Sequence, residues 1–220
     1  MRNLKKIETV DDLSVVRKRP NLVLVNSTKE VLYNATPKGV YVEHIDGTLY
    51  TESEWKTGGF TGDMANGVAV ITDNCRFVIA KEDAATSVKW SEKNVLIQGV
   101  TTVSTNEESY KDYNGKANTE AMLVDGNQPA ANACNEYVFP NGKIGYLPAM
   151  GEWREVWNNR RLVISYLTLI EAETIREIGM WSSTQTSETY AFMCSMDYSS
   201  SGFGANVKSK SVHARAFTTL

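Results

Sequence analysis

Side chains able to do covalent or metal chemistry are few and scattered along this 220-residue chain. The three cysteines, Cys75, Cys134 and Cys194, lie far apart, form no Cys-x-x-Cys pair and are odd in number. That pattern predicts free buried thiols, not a zinc knuckle or a disulfide framework. His44 and His213 are the only histidines, too few for a histidine-based metal site. There is no Gly-x-Ser-x-Gly elbow, phosphate-cradling glycine loop or His-Glu-x-x-His helix. Glu171 and Glu173 read as a solvated face. The expectation is a protein that is not an enzyme and needs neither metal nor cofactor.

Contact chemistry is better represented. Residues 190–206 are a run of Tyr, Phe, Ser, Gly, Asp and Asn without a charge cluster. Tyr supplies large contact area at low entropy cost, and small polar residues adapt their hydrogen bonds to a partner. The net charge of −3 and pI near 5.5 offer no broad positive field for phosphate backbones, which argues against nucleic acid. No run of about 18 apolar residues occurs, so no membrane insertion is expected. The first dozen residues lack the unbroken apolar stretch of a signal peptide. Compartment stays open, a virion-associated protein included.

The elements that would carry this surface follow from periodicity and punctuation. Residues 1–36 read as an N-terminal arm with one short strand at 21–26, including a basic triplet, Arg17-Lys18-Arg19, taken as solvated. Residues 37–220 read as one α+β domain with β hairpins first and last and helices between. Gly39 to Ile45 alternates, turns at Asp46-Gly47 and returns through Tyr50. Ser53 marks a short helix start, residues 67–71 and 76–80 form a second hairpin around Asp73-Asn74, and 94–97 one further strand. Helices are predicted at 114–123, at 129–137, and as one long element after Pro148 that runs on to Ile170. Trp153 and Trp157 sit on its apolar stripe and read as core anchors, not as a sugar platform. Beyond Gly179, Tyr190, Phe192, Cys194, Met196 and Tyr198 share one strand face and are assigned inward. A turn at 199–202, a return strand at 203–208 and a single last strand at 211–217 complete the chain.

Gly145-Tyr146-Leu147-Pro148 with Gly151-Glu152-Trp153, then Trp181-Ser182-Ser183-Thr184, and the closing Val212-His213-Ala214-Arg215-Ala216-Phe217 resemble C-type-lectin-fold domains of the DUF1566 type. They are also similar to variable proteins diversified by retroelements and, more distantly, to the formylglycine-generating-enzyme fold. The resemblance spans residues 38–217. It implies a C-type-lectin-like domain whose first and last strands pair, with a ligand face towards the carboxy-terminal end. The positions that vary in such proteins correspond here to residues 186–206, with Tyr190, Ser195, Asp197, Tyr198, Ser199, Ser200, Phe203 and Asn206 as the candidate ligand-binding residues.

The departures from the pattern bear on chemistry. His213 stands where an arginine is frequent, leaving Arg215 to tie the domain down through carboxylate or backbone hydrogen bonds. Gln128-Pro129 is followed by Ala130, and Trp157-Asn158-Asn159 lies on a predicted helix, so the carboxylates of a calcium-dependent sugar site are missing. An oxidase of the formylglycine-generating kind needs a close cysteine pair, and only Cys194 lies in the relevant third. The function expected is a non-enzymatic ligand- or receptor-binding module of a phage-like or cell-surface assembly. Its partner would be a protein or glycan on another cell or particle surface, with self-association open. The alternative is a structural subunit whose C-terminal hairpin packs on a neighbour.

Overall fold

The computed structural model describes residues 36–175, 179–196 and 202–220, and the backbone of three short strands upstream of them. The chain divides into two compact units, Met1–Gly39 and Val40–Leu220. In the first, β1 (Leu4–Lys6), β2 (Leu22–Leu24) and β3 (Glu30–Tyr33) form an antiparallel sheet in the order β1-β3-β2. The second strand falls inside the apolar run of residues 21–26.

The second unit is α+β. β4 (Gly39–His44) returns as β5 (Leu49–Tyr50) through a turn in which Gly47 adopts φ +84° and Asp46 Oδ1 accepts the N–H of Thr48 at 2.8 Å. α1 (Glu52–Thr57) starts one residue earlier than Ser53 would have it. Thr51 caps it, in a reciprocal arrangement with the Glu54 carboxylate. β6 (Ala65–Ile71) and β7 (Arg76–Ile79) form the second hairpin, followed by β8 (Ala85–Lys89). Then come α2 (Asn106–Ser109), α3 (Gly115–Asp125), α4 (Pro129–Glu136), α5 (Met150–Asn158) and α6 (Arg160–Leu169). The chain closes with β9 (Met180–Gln185), β10 (Tyr190–Cys194), β11 (Phe203–Val207), β12 (Ser211–Ala214) and β13 (Phe217–Thr219). Two five-stranded sheets result, ordered β11-β10-β9-β12-β8 and β13-β7-β6-β4-β5.

Successive residues of the inner strands serve two different cores, as a two-residue period requires. Val68, Val70, Phe77, Ile79, Met180, Phe192 and Cys194 join a cluster with Trp153 and Val156 of α5 and Val163 of α6. Ala69, Val78, Trp181 and Ala191 join the other, with Trp90, Met122, Ala131 and Cys134. Three buried indoles are each satisfied by a backbone carbonyl: Trp90 by Ser182 at 2.7 Å, Trp153 by Trp181 at 3.1 Å and Trp181 by Val88 at 2.9 Å.

Several expectations are corrected. The long helix after Pro148 is two, because Asn159 leaves helical geometry and its side-chain amide bonds the Glu155 carbonyl at 2.9 Å. Residues 211–217 are two strands in different sheets, with Arg215 and Ala216 between them. Residues 94–97 form no strand. The Gln185 side chain takes the ladder's place, with Oε1 accepting the Ile97 N–H at 3.1 Å and Nε2 donating to the Ile97 carbonyl at 2.8 Å. Tyr190, assigned inward, is 44% exposed. The first and last strands of the domain, β4 and β13, share a sheet without pairing, since β6 and β7 lie between them.

Candidate ligand-binding surface

The β10–β11 hairpin pairs Tyr190 with Val207 at one end and Cys194 with Phe203 at the other. Four residue steps separate those ends, or about 13 Å. Candidates therefore fall into two places. Tyr190 and Asn206 stand at the open end. The Tyr190 N–H is held by Ser187 Oγ at 3.1 Å, while Asn206 is half-buried and points its amide at Met193 Sδ, 3.4 Å away. Ser195 and Phe203 stand at the turn end. Asp197, Tyr198, Ser199 and Ser200 lie outside the described residues.

The base of the hairpin is fixed by an unusual buried cation. Lys208 Nζ donates to the Val95 carbonyl at 2.7 Å and to Gln185 Oε1 at 2.9 Å, 4.4 Å from the centre of the Trp90 ring. Burial pushes its ammonium down to about 8. Periodicity gives no hint of this, because the residue follows β11 as an ordinary polar position.

The turn end of the hairpin meets the helices. The Ser195 N–H bonds the Gly202 carbonyl. Gly202 has φ +58°, and a Cβ there would stand 2.4 Å from the Ser195 oxygen and 3.4 Å from the Trp157 ring, so only glycine fits. Phe203 packs edge-on against Tyr110 at 5.3 Å and Trp157 at 5.6 Å. The Arg154 guanidinium lies 4.8 Å from the Tyr110 ring centre and 5.2 Å from that of Phe203. Arg160 stacks on Trp157 at 4.2 Å and donates to the Trp157 carbonyl at 3.1 Å. The result is three aromatic rings bracketed by two guanidiniums. Trp157 is thus half-buried and packs against the edge of the core cluster in which Trp153 is fully buried. Sequence reading missed Tyr110 and Arg154. The one available signal was the three-residue step from Arg154 to Trp157.

The Trp-Ser-Ser-Thr motif serves the interior. It lies on β9, not in a loop, and Ser182 Oγ donates to the Phe192 carbonyl of the next strand at 2.9 Å. Thr184 Oγ1 accepts the first amide of α5, from Met150, at 3.0 Å and donates to Asp112 at 2.7 Å. The motif thereby fixes where α5 begins, and with it Arg154 and Trp157. Arg215 is fully buried, with Nε 2.7 Å from Asp83 Oδ1 and Nη1 donating to the Glu173 carbonyl at 2.8 Å. The Nε approach is too bent for a hydrogen bond and acts as an ion pair. His213 Nδ1 lies 2.7 Å from the other Asp83 oxygen.

Nucleophiles are not presented. Cys194 and Cys134 are buried and Cys75 is half-buried. Burial pushes the Cys75 thiol up to about 12 and raises the other two as well. Alkylation of the native protein by iodoacetamide at about pH 8 is expected to be slow at all three, with Cys134 and Cys194 reacting only in denaturant. Rapid labelling of native Cys194, read by peptide mass, would refute its burial. Gln128 is buried and donates to Asp125 at 2.5 Å. Among the described residues no three His, Cys, Asp or Glu side chains gather to hold a metal ion, and no helix is long and apolar enough to cross a membrane.

No family model matches the chain, and no curated protein matches it. Among solved structures it is similar to a fimbrial protein from Bacteroides ovatus, at 14% identity and a TM-score of 0.58, over 84% of this chain and 49% of that one. The chain thus spans about half the length of that neighbour. At this identity the likeness speaks for the fold alone.

Proposed function

We propose that this chain is a non-enzymatic binding module of a cell-surface or particle-borne appendage, with a C-type-lectin-like domain that recognises its ligand through the turn end of the β10–β11 hairpin. The observation carrying this reading is the meeting of the hairpin's Ser195, Gly202 and Phe203 with Tyr110, Trp157 and two stacked arginines on one rim. Aromatic and arginine side chains are the types enriched where binding energy concentrates. The motif resemblance and the fold likeness to a fimbrial protein support an extracellular assembly as its setting. Diversification of residues 186–206 by a retroelement belongs to the same proposal.

Joint replacement of Tyr190, Ser195, Asp197, Tyr198, Ser199, Ser200 and Asn206 tests it. Ligand or partner choice is expected to change while the domain stays folded, its thermal midpoint falling by no more than about 10 °C, because seven positions that belong to the surface, as this reading requires, cost up to about 0.5 kcal/mol each. Phe203 is left out of the set, being 7% exposed. Unfolding of the swapped domain would make the window core and end the reading. A structural-subunit role is the second reading, favoured by the fimbrial neighbour. It expects concentration-dependent self-association, by sedimentation, that the same replacements abolish.

A further inference from the structure

We infer that the ligand of this rim is an acidic glycan whose uronic or sialic acid carboxylate is gripped by Arg154; the inference rests on reading the hairpin's turn end as the contact surface. Arg154 is half-buried and lies over two aromatic rings at once, Tyr110 at 4.8 Å and Phe203 at 5.2 Å. Among the described residues its guanidinium has no hydrogen bond and no ion pair. Stacking on two rings restricts the long side chain while leaving the in-plane N–H donors unused, so the entropy cost of ordering a fork-shaped donor is already met. A carboxylate is the acceptor that matches two parallel donors.

Among the described residues, the acids of the preceding segment do not meet that demand. Glu108 Oε2 accepts the N–H groups of Ser104 and Thr105 at 3.0 and 3.1 Å and so caps α2. Glu107 reaches Tyr110 only through its field. Arg160, stacked on Trp157, adds a second positive charge to the same ring cluster, in a chain whose net charge is −3.

A glycan is favoured over an acidic protein by the state of the rings. Phe203 is 7% exposed, and Tyr110 and Trp157 are half-buried, so little apolar area remains for the anchoring side chain on which a protein interface depends. Hydroxyl-rich sugars suit the polar groups beside Phe203, namely Asn106, whose amide reaches the Phe203 carbonyl at 3.5 Å, and Ser195, whose N–H bonds the Gly202 carbonyl.

The test is binding of the full chain to immobilised polygalacturonate and polysialic acid at about 0.15 M salt. Fully methyl-esterified polygalacturonate, dextran sulfate and polyglutamate serve as comparators. Expected is binding to at least one carboxylated glycan, loss of pectate binding on esterification, and at least about a tenfold weakening by Arg154→Gln in a variant that stays folded, its thermal midpoint lower by only the few degrees that the lost ring stacking costs. Arg154→Lys is expected not to rescue, since an ammonium lacks the fork. Equal binding of the esterified polymer, preference for dextran sulfate, or polyglutamate binding as tight as that of either glycan overturns the inference, as does silence towards both acidic glycans. The window replacements separate the two readings. If they abolish glycan binding and Arg154→Gln does not, the contact surface stands and the carboxylate grip falls. If Arg154→Gln weakens binding and they do not, the grip stands and the hairpin reading falls.

Discussion

Replacing Arg215 by alanine is expected to destabilise the domain by about 3–5 kcal/mol, the largest single effect anticipated for a side chain remote from the ligand rim. The guanidinium is fully buried and its partner Asp83 has a side chain 1% exposed, so removal leaves a carboxylate without its counter-charge where water cannot replace it. Its other contacts, the Glu173 carbonyl at 2.8 Å and the Glu173 carboxylate at 3.4 Å, would be lost as well. In a domain of this size the thermal midpoint should fall by about 10 °C or more. Asp83→Asn alone should cost less, because it keeps an acceptor for His213 and leaves Arg215 the Glu173 carbonyl at 2.8 Å and the Glu173 carboxylate at 3.4 Å. The double variant should be more stable than the sum of the single losses predicts, by denaturant melts on all four proteins. Strict additivity would mean that the pair contributes only packing.

The place of Arg215 also shows what a linear reading can and cannot see. Its residue type in a closing strand was sufficient to predict a tether to carboxylate or backbone. The tether's partners, Asp83 and Glu173, are 132 and 42 positions away in the sequence, and no local period points to them. The same strand was read as one continuous element because Ser211 to Phe217 is uninterrupted by Gly or Pro. The structure instead sends its two halves to different sheets, β12 beside β9 and β13 beside β7, a change that Arg215 and Ala216 bridge.

Hairpins with a glycine turn were legible because turn chemistry is local: Asp46-Gly47 sets β4 and β5 whatever surrounds them. Helix α5 was legible from Trp153 and Val156. Its end was not, since Asn159 looks like a polar helix position until its amide is seen on the Glu155 carbonyl. β8 was missed because in Ala85–Lys89 only Val88 carries a strand-like apolar side chain, the rest being specified by pairing with β12. The ligand rim was half legible. Its hairpin side came from composition and resemblance, whereas Tyr110 and Arg154 come from elements that touch Phe203 only in three dimensions.

Glu152 should make the domain less stable as pH rises, and Glu152→Gln should remove much of that dependence. The carboxyl is 4% exposed at the start of α5, with Oε2 accepting the Ala149 N–H at 2.7 Å and Oε1 2.7 Å from the Tyr146 hydroxyl. Burial pushes its carboxyl up to about 8; the bonds from Tyr146 and Ala149 pull the other way without prevailing, and the charge of Asp112 adds to the rise. In the unfolded chain the group titrates near 4.5. Between those two values the folded protein holds a proton that the unfolded chain has released, so stability falls with pH across that window and levels off above about 8. The loss is on the order of several kcal/mol. Glutamine keeps an oxygen for the Ala149 N–H and offers an N–H to the Tyr146 oxygen, with no charge to bury. Thermal midpoints at about pH 5.5 and about pH 8.5 should therefore differ clearly for the native chain and much less for Glu152→Gln. Glu152→Ala, which loses the cap, should be weaker at both values. If Glu152→Gln declines with pH as steeply as the native chain, the titrating group lies elsewhere and the buried carboxyl does not hold a proton at neutral pH.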